Sequence, residues 1–381
     1  KNTYVYPSVS ASFLFSEVLK MNKDIFSFGK LRVSAAQVGS DTDPYRLHLM
    51  YSMIDKSYQT YALGTIYNTE VPKEDLKPTR TNSVEAGLDL RFFKNRVGLD
   101  FTYYNQRSTD QIMRLNSSIT SGYNAKIVNA GEIENSGIEI ALNTRPIENK
   151  DWSWDLNFNF SKNNNKVKSL ASGIDRFTLA EAAWLNVTVD AVVGENYGAI
   201  MGKDFKRNEA GQIIVNGNTG LPEVADEVSV LGNATWDWTG GVTTNVSYKD
   251  FSIGAIFDIK WGADMFSMTD RSYHASGKAK ATLPGRDTWY MSEEQRLEAG
   301  VSEGAWTAKG GYLVDGVVEH IDGSGNKTYT ENEKFIDPEK YWSHVSTSVP
   351  SVFVHDNSYI KVRELTLSYR LPSSFVRRFA E

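Results

Sequence analysis

Aromatic side chains are concentrated in two long stretches of the sequence that lack a regular strand pattern. Residues 263–357 contribute Trp289, Tyr290, Trp306, Tyr312, Tyr341 and Trp342, and residues 165–236 contribute Trp184 and Tyr197. Flat aromatic faces stack on sugar rings or on peptide side chains and lose little rotamer entropy when they do so. These eight residues are therefore predicted to bind a ligand. The alternative is that the same rings pack one loop against another or against a partner protein.

Catalytic and metal chemistry finds no support in the sequence. The chain contains no cysteine, which excludes disulfides, zinc-thiolate sites and cysteine nucleophiles. The five histidines are scattered, and neither a His-Glu-x-x-His nor a Gly-x-Ser-x-Gly motif is present. Residues 322–326 resemble a calcium loop but lack the glycine at the sixth position and the distal glutamate of one, so we expect a hairpin turn there. We predict no enzyme activity, no cofactor and no metal site, and the net charge of −6 argues against nucleic-acid binding.

Segments of about ten residues alternate apolar and polar side chains with a period of two, which is typical of β-strands. In one of them, the apolar residues that share a face are Val84, Ala86, Leu88, Leu90 and Phe92. We predict about nine strands, over residues 4–16, 26–37, 82–93, 96–108, 133–146, 151–164, 237–249, 250–263 and 358–371. In the last strand the apolar residues move from even to odd positions, which predicts a β-bulge near Arg363 and Glu364.

Short and long connections alternate between these strands. Short turns are expected near residues 21–24, 94–96, 148–151 and 249–250, and long loops over about 39–81, 109–132, 165–236 and 263–357. Asn-Gly and Asp-Gly pairs inside the long loops predict small hairpins. A meander with short turns at one end and long loops at the other is typical of bacterial outer-membrane β-barrels.

Alternation alone also fits a soluble sandwich, in which the apolar face packs against a second sheet. Two patterns favour a membrane barrel. Charged residues recur on the polar faces of nearly every strand, as a hydrated lumen requires, and aromatic residues gather at strand ends, where amphipathic rings lie at the level of lipid head groups. The predicted fold class is therefore all-β, a transmembrane antiparallel barrel with long extracellular loops.

Nine strands would leave such a barrel open. Unpaired backbone groups at an open edge cost several kcal/mol each in hydrocarbon, so nine strands are not a stable membrane structure by themselves. We therefore expect residues 1–381 to be one part of a larger barrel, with further strands on either side.

Five segments of the sequence resemble signatures of SusC/RagA-type TonB-dependent outer-membrane transporters. They are residues 31–39, 78–89, 129–139, 231–236 and 356–372, the last of which reads DNSYIKVRELTLSYRLP. Their order and spacing cover almost the whole chain. The chain is accordingly identified as a member of this family, as the C-terminal part of its β-barrel domain.

The resemblance implies a barrel of about 22 strands that is occluded by an N-terminal plug, energised by the TonB complex and paired with a SusD-like surface lipoprotein. It also implies active import of oligosaccharides or oligopeptides across the bacterial outer membrane. We expect the plug, the TonB box and the N-terminal extension of the family to lie outside these 381 residues, so transport is inferred for the parent protein. Two alternatives remain: a passive porin-type channel, and a soluble β-rich glycan-binding module.

Overall fold

A computed structural model describes residues 3–42, 51–66, 70–71, 73, 75–182 and 186–373. Within these residues the largest element is one antiparallel sheet of nine strands, whose order in the sheet follows their order in the chain. The strands are β1 (Ser8–Phe13), β2 (Phe26–Ser40), β3 (Thr79–Phe92), β4 (Val97–Thr109), β5 (Glu132–Glu148), β6 (Trp152–Ser169), β7 (Trp238–Tyr248), β8 (Phe251–Trp261) and β9 (Tyr359–Tyr369). The predicted strands are confirmed, and the sheet is open, with β1 and β9 at its edges.

The register of the sheet places the apolar residues of neighbouring strands on one face, which we call the outer face. Leu142 of β5, for example, lies opposite Leu99 of β4 and Phe158 of β6. Outer-face side chains are exposed along the strands, by 60% for Val84 and by 76% for Leu367. A soluble sandwich would bury these rows against a second sheet. Their exposure is instead the arrangement of a membrane barrel wall.

The bulge predicted for the last strand is present in β9. Ile256 of β8 pairs with Glu364, whereas the next residue, Phe257, pairs with Val362, so Arg363 is the extra residue between the two pairs. This insertion returns the apolar side chains of both halves of β9 to the outer face.

Connections alternate in length along the sheet, as the sequence indicates. The connections at one end of the strands are short and span residues 93–96, 149–151 and 249–250. The connections at the other end of the strands are long and span residues 41–78, 110–131, 170–237 and 262–358. The first connection differs from the prediction, because β1 ends at Phe13 and a helical turn, α1 (Phe15–Val18), follows it. The ring of Phe15 packs on that of Phe26 at 5.8 Å, which draws the chain out of the strand and into this turn.

The long connections contain secondary structure of their own. The helices are α2 (Met268–Ala275), α3 (Arg286–Glu298) and α4 (Pro338–Ser348), with 3₁₀ turns at Ile119–Ser121, Lys280–Thr282, Glu303–Ala305 and Pro350–Phe353. Small strands span Tyr51–Tyr58, Tyr61–Ile66, Glu70–Val71, Ile112–Asn116, Ala125–Asn129, Arg176–Ala182, Val187–Val192, Ala199–Gly202, Ser229–Asn233, Asp264–Phe266, Tyr312–Leu313, Val317–Ile321, Lys327–Glu331, Phe335–Ile336 and Val354–Asp356. None of the helices in the described part of the chain is long and apolar enough to cross a lipid bilayer.

The two longest connections fold against each other into a unit that we call the loop body (residues 186–235 and 262–358). Val215 from the first connection packs with Val345, Val349 and Phe353 from the second in a fully buried cluster. The backbone N–H of Val215 also donates to the carbonyl of Val317 at 2.8 Å. The loop body therefore has a hydrophobic core of its own, separate from the sheet.

One of the predicted hairpins lies at the edge of this unit. Residues 317–321 pair with residues 327–331, and the carboxylate of Asp322 accepts the backbone N–H groups of Ser324 and Asn326 at 2.8 Å each. These bonds close the turn and hold the pKa of Asp322 below its usual range, with the side-chain bond from Asn326 as the largest cause. The sequence that resembles a calcium loop is thus a hairpin turn, as predicted.

Candidate functional site

The inner face of the sheet carries charged and hydrogen-bonding side chains. Arg32 of β2 reaches across the neighbouring strand and donates to Asp100 of β4 at 2.5 Å and to Thr102 at 3.0 Å. Gly87 of β3 permits this crossing, because a Cβ atom there would lie only 2.3 Å from Nε of Arg32. The inner face is therefore polar and internally paired, as the wall of a water-filled lumen requires.

A shallow recess of about 410 Å³ lies on this inner wall. Its surface includes the carboxylates of Glu85 and Glu139 and the hydroxyl of Tyr104, which donates to the side-chain oxygen of Asn163 at 3.2 Å. These groups are able to accept or donate hydrogen bonds on the inner wall.

A large cleft lies in the loop body. It measures about 1030 Å³ and opens between α3, α4 and the hairpin at residues 317–331. Trp289 and Trp306 provide aromatic walls, and Glu293, His320 and Lys340 provide polar ones. A cleft of this size accommodates several sugar units or amino-acid residues.

Trp306 is held in a fixed orientation at the edge of this cleft. Its indole N–H donates to the hydroxyl of Ser292 at 3.2 Å, and Ser292 in turn accepts the backbone N–H of Lys309 at 2.9 Å. The ammonium group of Lys309 lies 5.1 Å from the centre of the indole ring. Because its polar edge and one face are occupied, Trp306 loses little further freedom on stacking against a ligand.

An ion pair links two segments that border the cleft. The ammonium group of Lys340 on α4 donates to a carboxylate oxygen of Glu303 at 2.6 Å. This bond lowers the pKa of Glu303 and raises that of Lys340. The pair therefore connects α4 to the turn that precedes Trp306.

A second, smaller cleft of about 540 Å³ shares Trp289 with the first. Tyr290, which is exposed by 66%, and Arg286 lie on its α3 side, and Glu339 on α4 lies across from them. The two clefts together are lined by four of the predicted aromatic residues, Trp289, Tyr290, Trp306 and Trp342, all in the loop body.

Tyr341 and Trp342 both belong to the hydrophobic core of the loop body, and Trp342, which is only 9% exposed, also lines the smaller cleft. Tyr341 stacks on Tyr312 at 4.2 Å, and Trp342 packs edge-on against Tyr341 at 5.0 Å. Burial raises the pKa of the Tyr341 hydroxyl above its ordinary value. The burial favours, for these rings, the packing alternative left open by the sequence.

The remaining two predicted residues belong to the other long connection. Tyr197 is half-buried, which raises the pKa of its hydroxyl, and its backbone N–H donates to the carbonyl of Asn165 at 3.3 Å. Trp184 lies outside the described residues. The structure therefore does not bring Tyr197 to the cleft that contains Trp306.

Two of the histidines contact the same aspartate, and two others form hydrogen bonds elsewhere. His274 and His355 contact the two oxygens of Asp270, at 3.2 and 2.9 Å, while His344 bonds the carbonyl of Pro222. His320 bonds the hydroxyl of Thr330 at 2.9 Å, and His48 lies outside the described residues. Among the residues that are described, no three His, Asp or Glu side chains come together as a metal site would require.

Several residues that line the main cleft were not predicted from the sequence. Glu293, Glu303 and Lys340 come from three separate segments, and their spacing along the chain carries no signal. They become neighbours only when the loop body folds.

Comparison with known proteins identifies the family. Residues 1–371 match the family model described as TonB dependent receptor-like, beta-barrel. TonB-dependent receptor P3 of Formosa agariphila is 25% identical over 368 residues, which cover 91% of this chain and 33% of that protein. TonB-dependent receptor SusC of Bacteroides thetaiotaomicron is 32% identical over 140 residues, which cover 35% of this chain and 14% of that protein.

Solved structures show the same fold. The RagAB peptide transporter superposes with a TM-score of 0.69 at 16% sequence identity, covering 99% of this chain and 38% of that one. The chain thus spans about a third of the length of the Formosa relatives, with 33% and 35% of their sequences covered. The family match over nearly the whole chain, the SusC relationship and the exposed outer face of the sheet agree, and the chain belongs to the TonB-dependent receptor β-barrel family, of the SusC/RagA type, whose members are outer-membrane β-barrel proteins.

Proposed function

We propose that this chain forms part of the barrel of an active importer that takes up oligomeric nutrients through the bacterial outer membrane. Members of the family are transporters and not enzymes. The observation that carries the proposal is the division of the sheet into an exposed apolar outer face and a charged inner face. In this arrangement the long connections, including the loop body, face the cell exterior, and the parent protein supplies the remaining strands and the plug.

Energy from the TonB complex separates this proposal from a passive porin. Import by the parent protein should cease when TonB is deleted or when the proton gradient is collapsed. A porin-type channel would continue to pass its solute under either condition. Radiolabelled solute uptake in matched strains with and without TonB makes this comparison directly, and uptake that persists without TonB would contradict active import.

For the cargo we propose an oligosaccharide or an oligopeptide that stacks on Trp289 and Trp306. The size of the cleft and its mixture of aromatic and polar walls support this choice, and one structural relative is described as a peptide transporter. Loss of a central aromatic contact costs about 1–2 kcal/mol or more, so Trp306→Ala should weaken binding about tenfold.

The test uses the intact parent protein and calorimetric titration with panels of defined oligosaccharides and peptides. Tyr273→Ala is the matched control, because Tyr273 is 52% exposed on α2 and lines neither cleft. A ligand whose affinity falls equally in Trp306→Ala and Tyr273→Ala would show that the cleft is not its binding site.

The lipoprotein partner is also part of the proposal. Met291 and Leu297 on α3 are apolar side chains exposed by 60 and 66%. We expect a SusD-like lid to cover these two side chains. Met291→Glu with Leu297→Glu should reduce co-purification of the lipoprotein, whereas Ile321→Glu, at an equally exposed position in the hairpin, should not.

A further inference from the structure

The outer face of the sheet changes character toward the long connections. On β4, the apolar row that includes Tyr103 continues as Asn105 and Arg107. On β6, the row that includes Phe160 continues as Lys162. The register keeps these side chains on the outer face, so the apolar belt ends in a polar rim on these strands.

Charge in this rim is strongly biased. On β3 to β6 the rim has five basic and two acidic side chains, so its net charge is +3. The net charge of the whole chain, by contrast, is −6. We call this set the basic collar, and it consists of Arg80, Arg107, Lys162, Lys166, Lys168, Glu132 and Glu134. A local excess of positive charge in an acidic protein indicates attraction to an anionic partner.

Pairing within the collar leaves part of this charge free. Arg107 donates to both carboxylate oxygens of Glu132, at 2.6 and 2.8 Å, and Lys168 pairs with Glu134 at 2.6 Å. Neither Lys162 nor Lys166 has a carboxylate of the described residues within 4.0 Å, and both side chains are exposed. The two lysines therefore remain available to bind another group.

The position of Lys162 and Lys166 relative to the apolar rows of the outer face indicates which anionic group they could bind. Lys162 lies opposite Ile138, which in turn lies opposite Tyr103 of β4. Lys162 thus lies at the level where the belt ends, and Lys166 lies four residues farther along β6, about 13 Å along the strand. In a bilayer this zone contains the lipid head groups, whose phosphates carry negative charge.

We propose that the basic collar binds the phosphate groups of lipids in the leaflet that surrounds this end of the barrel. The inference rests on the proposed function, because it requires the sheet to cross a membrane. Lysine is suited to this position, since its aliphatic stem lies along apolar surface while its ammonium group reaches the head-group layer. The occupant is a phosphorylated lipid, because its acyl chains lie against the adjoining apolar rows while its phosphate lies at the lysines.

The test compares the intact parent protein in nanodiscs of phosphatidylcholine doped with lipid A or with its dephosphorylated form. Native mass spectrometry counts the doped lipid that stays bound on release from the disc. Lys162→Gln with Lys166→Gln should lower retention of phosphorylated lipid A about 25-fold, at about fivefold for each lysine near an anionic lipid surface, and should leave the dephosphorylated lipid unaffected.

The matched control is Lys30→Gln with Lys260→Gln, which removes the same charge from the inner face, where Lys30 lies opposite Asp89. Equal loss in the two double variants, or retention that does not depend on the lipid phosphates, would overturn the proposal. If millimolar inorganic phosphate removes the dependence of lipid retention on the lipid phosphates while the lipid itself still binds, the lysines are a site for free phosphate. This result would also overturn the proposal.

The two proposals fail in different ways. If the protein inserts into bilayers and migrates as a heat-modifiable barrel but shows no preference for phosphorylated lipid, the collar proposal alone is wrong. If it does not insert at all, the membrane assignment is wrong as well.

Discussion

Substitution of Leu142 by arginine tests whether the outer face of the sheet contacts hydrocarbon. On β6 the apolar row runs from Trp152 to Phe160, roughly 27 Å along the strand at about 3.4 Å per residue. Leu142 lies opposite Phe158 and opposite Leu99, so it is inside the apolar row, two residues from its end at Phe160 and six from Trp152. An arginine in a β-barrel costs about 2–4 kcal/mol near the bilayer midplane and less toward the interface, so Leu142→Arg should lower the free energy of unfolding by about 2 kcal/mol.

Two variants on the same strand provide the comparison. Asn143→Arg places the same side chain on the inner face, opposite Gly98 and Asn157, where water solvates it. Ser136→Arg keeps the outer face but moves the charge about 20 Å along the strand toward the basic collar. Near the interface the cost of an arginine falls to about 0–1 kcal/mol, so both variants should remain close to the unsubstituted protein.

Urea unfolding of the parent protein in phospholipid vesicles, followed by tryptophan fluorescence and heat-modifiable gel migration, measures all three free energies. If the outer face met water, an arginine at an exposed sheet position would change stability by no more than about 0.5 kcal/mol. Equal values for Leu142→Arg and Asn143→Arg, or a cost for Ser136→Arg as large as for Leu142→Arg, would refute the assignment of this face to lipid.

Three further predictions concern the loop body and the inner wall. Phe353 is fully buried, and Phe353→Ala should destabilise the loop body by about 3–5 kcal/mol, visible as faster hydrogen exchange there while the sheet is unchanged. The ion pair with Lys340 lowers the pKa of Glu303, so the pair stabilises the folded state fully above the unfolded pKa of Glu303 and loses this effect as the pH falls through the lower folded pKa. Proteolysis near α4 should therefore be faster in acid, and Lys340→Met should abolish this pH dependence. Gly87→Val would clash with Arg32 and should cost about 1–3 kcal/mol, and addition of Arg32→Ala should recover part of the loss in a double-mutant cycle.

The sheet could be predicted from the sequence because its signal is local. Alternation with a period of two depends only on which side of a strand faces lipid or water. The apolar residues of the last strand change from even to odd positions, and this change alone predicted the bulge at Arg363. The end of β1 could not be placed in this way. There Phe15 of α1 packs against Phe26 of β2, a contact between two elements that no alternation within one strand records.

The loop body could be predicted only in part, because its core joins distant segments. No helix was predicted in residues 263–357, although Asp337 followed by Pro338 is a readable start signal for α4, and Asp337 does cap it by accepting the N–H of Glu339. The partners of Trp306 illustrate the harder problem. Ser292 lies fourteen residues away, and nothing in that separation predicts a hydrogen bond.

Pairs of adjacent aromatic residues in the same long connection differ in their burial. Trp289 and Tyr290 are adjacent on α3 and border clefts, whereas Tyr341 and Trp342 are adjacent on α4 and pack into the core, with only Trp342 also lining a cleft. The difference arises because α4 packs against residues around Val215 and Phe353, and α3 keeps one side open. Composition therefore locates the candidate region, while only the packing of the helices assigns each ring to a surface or to the core.

The two parts of this chain treat apolar side chains in opposite ways, and this contrast indicates two different solvents. In the loop body, Val345, Val349 and Phe353 are fully removed from solvent, as expected for a unit that folds in water. In the sheet, Ile253, Leu365 and Leu367 are exposed by 61, 73 and 76% on one continuous face. Each exposed apolar Å² would cost about 25 cal/mol in water, a penalty that the loop body avoids and the sheet would incur strand after strand. Hydrocarbon around the sheet removes this penalty, so the membrane location follows from the packing of the chain itself as well as from its relatives.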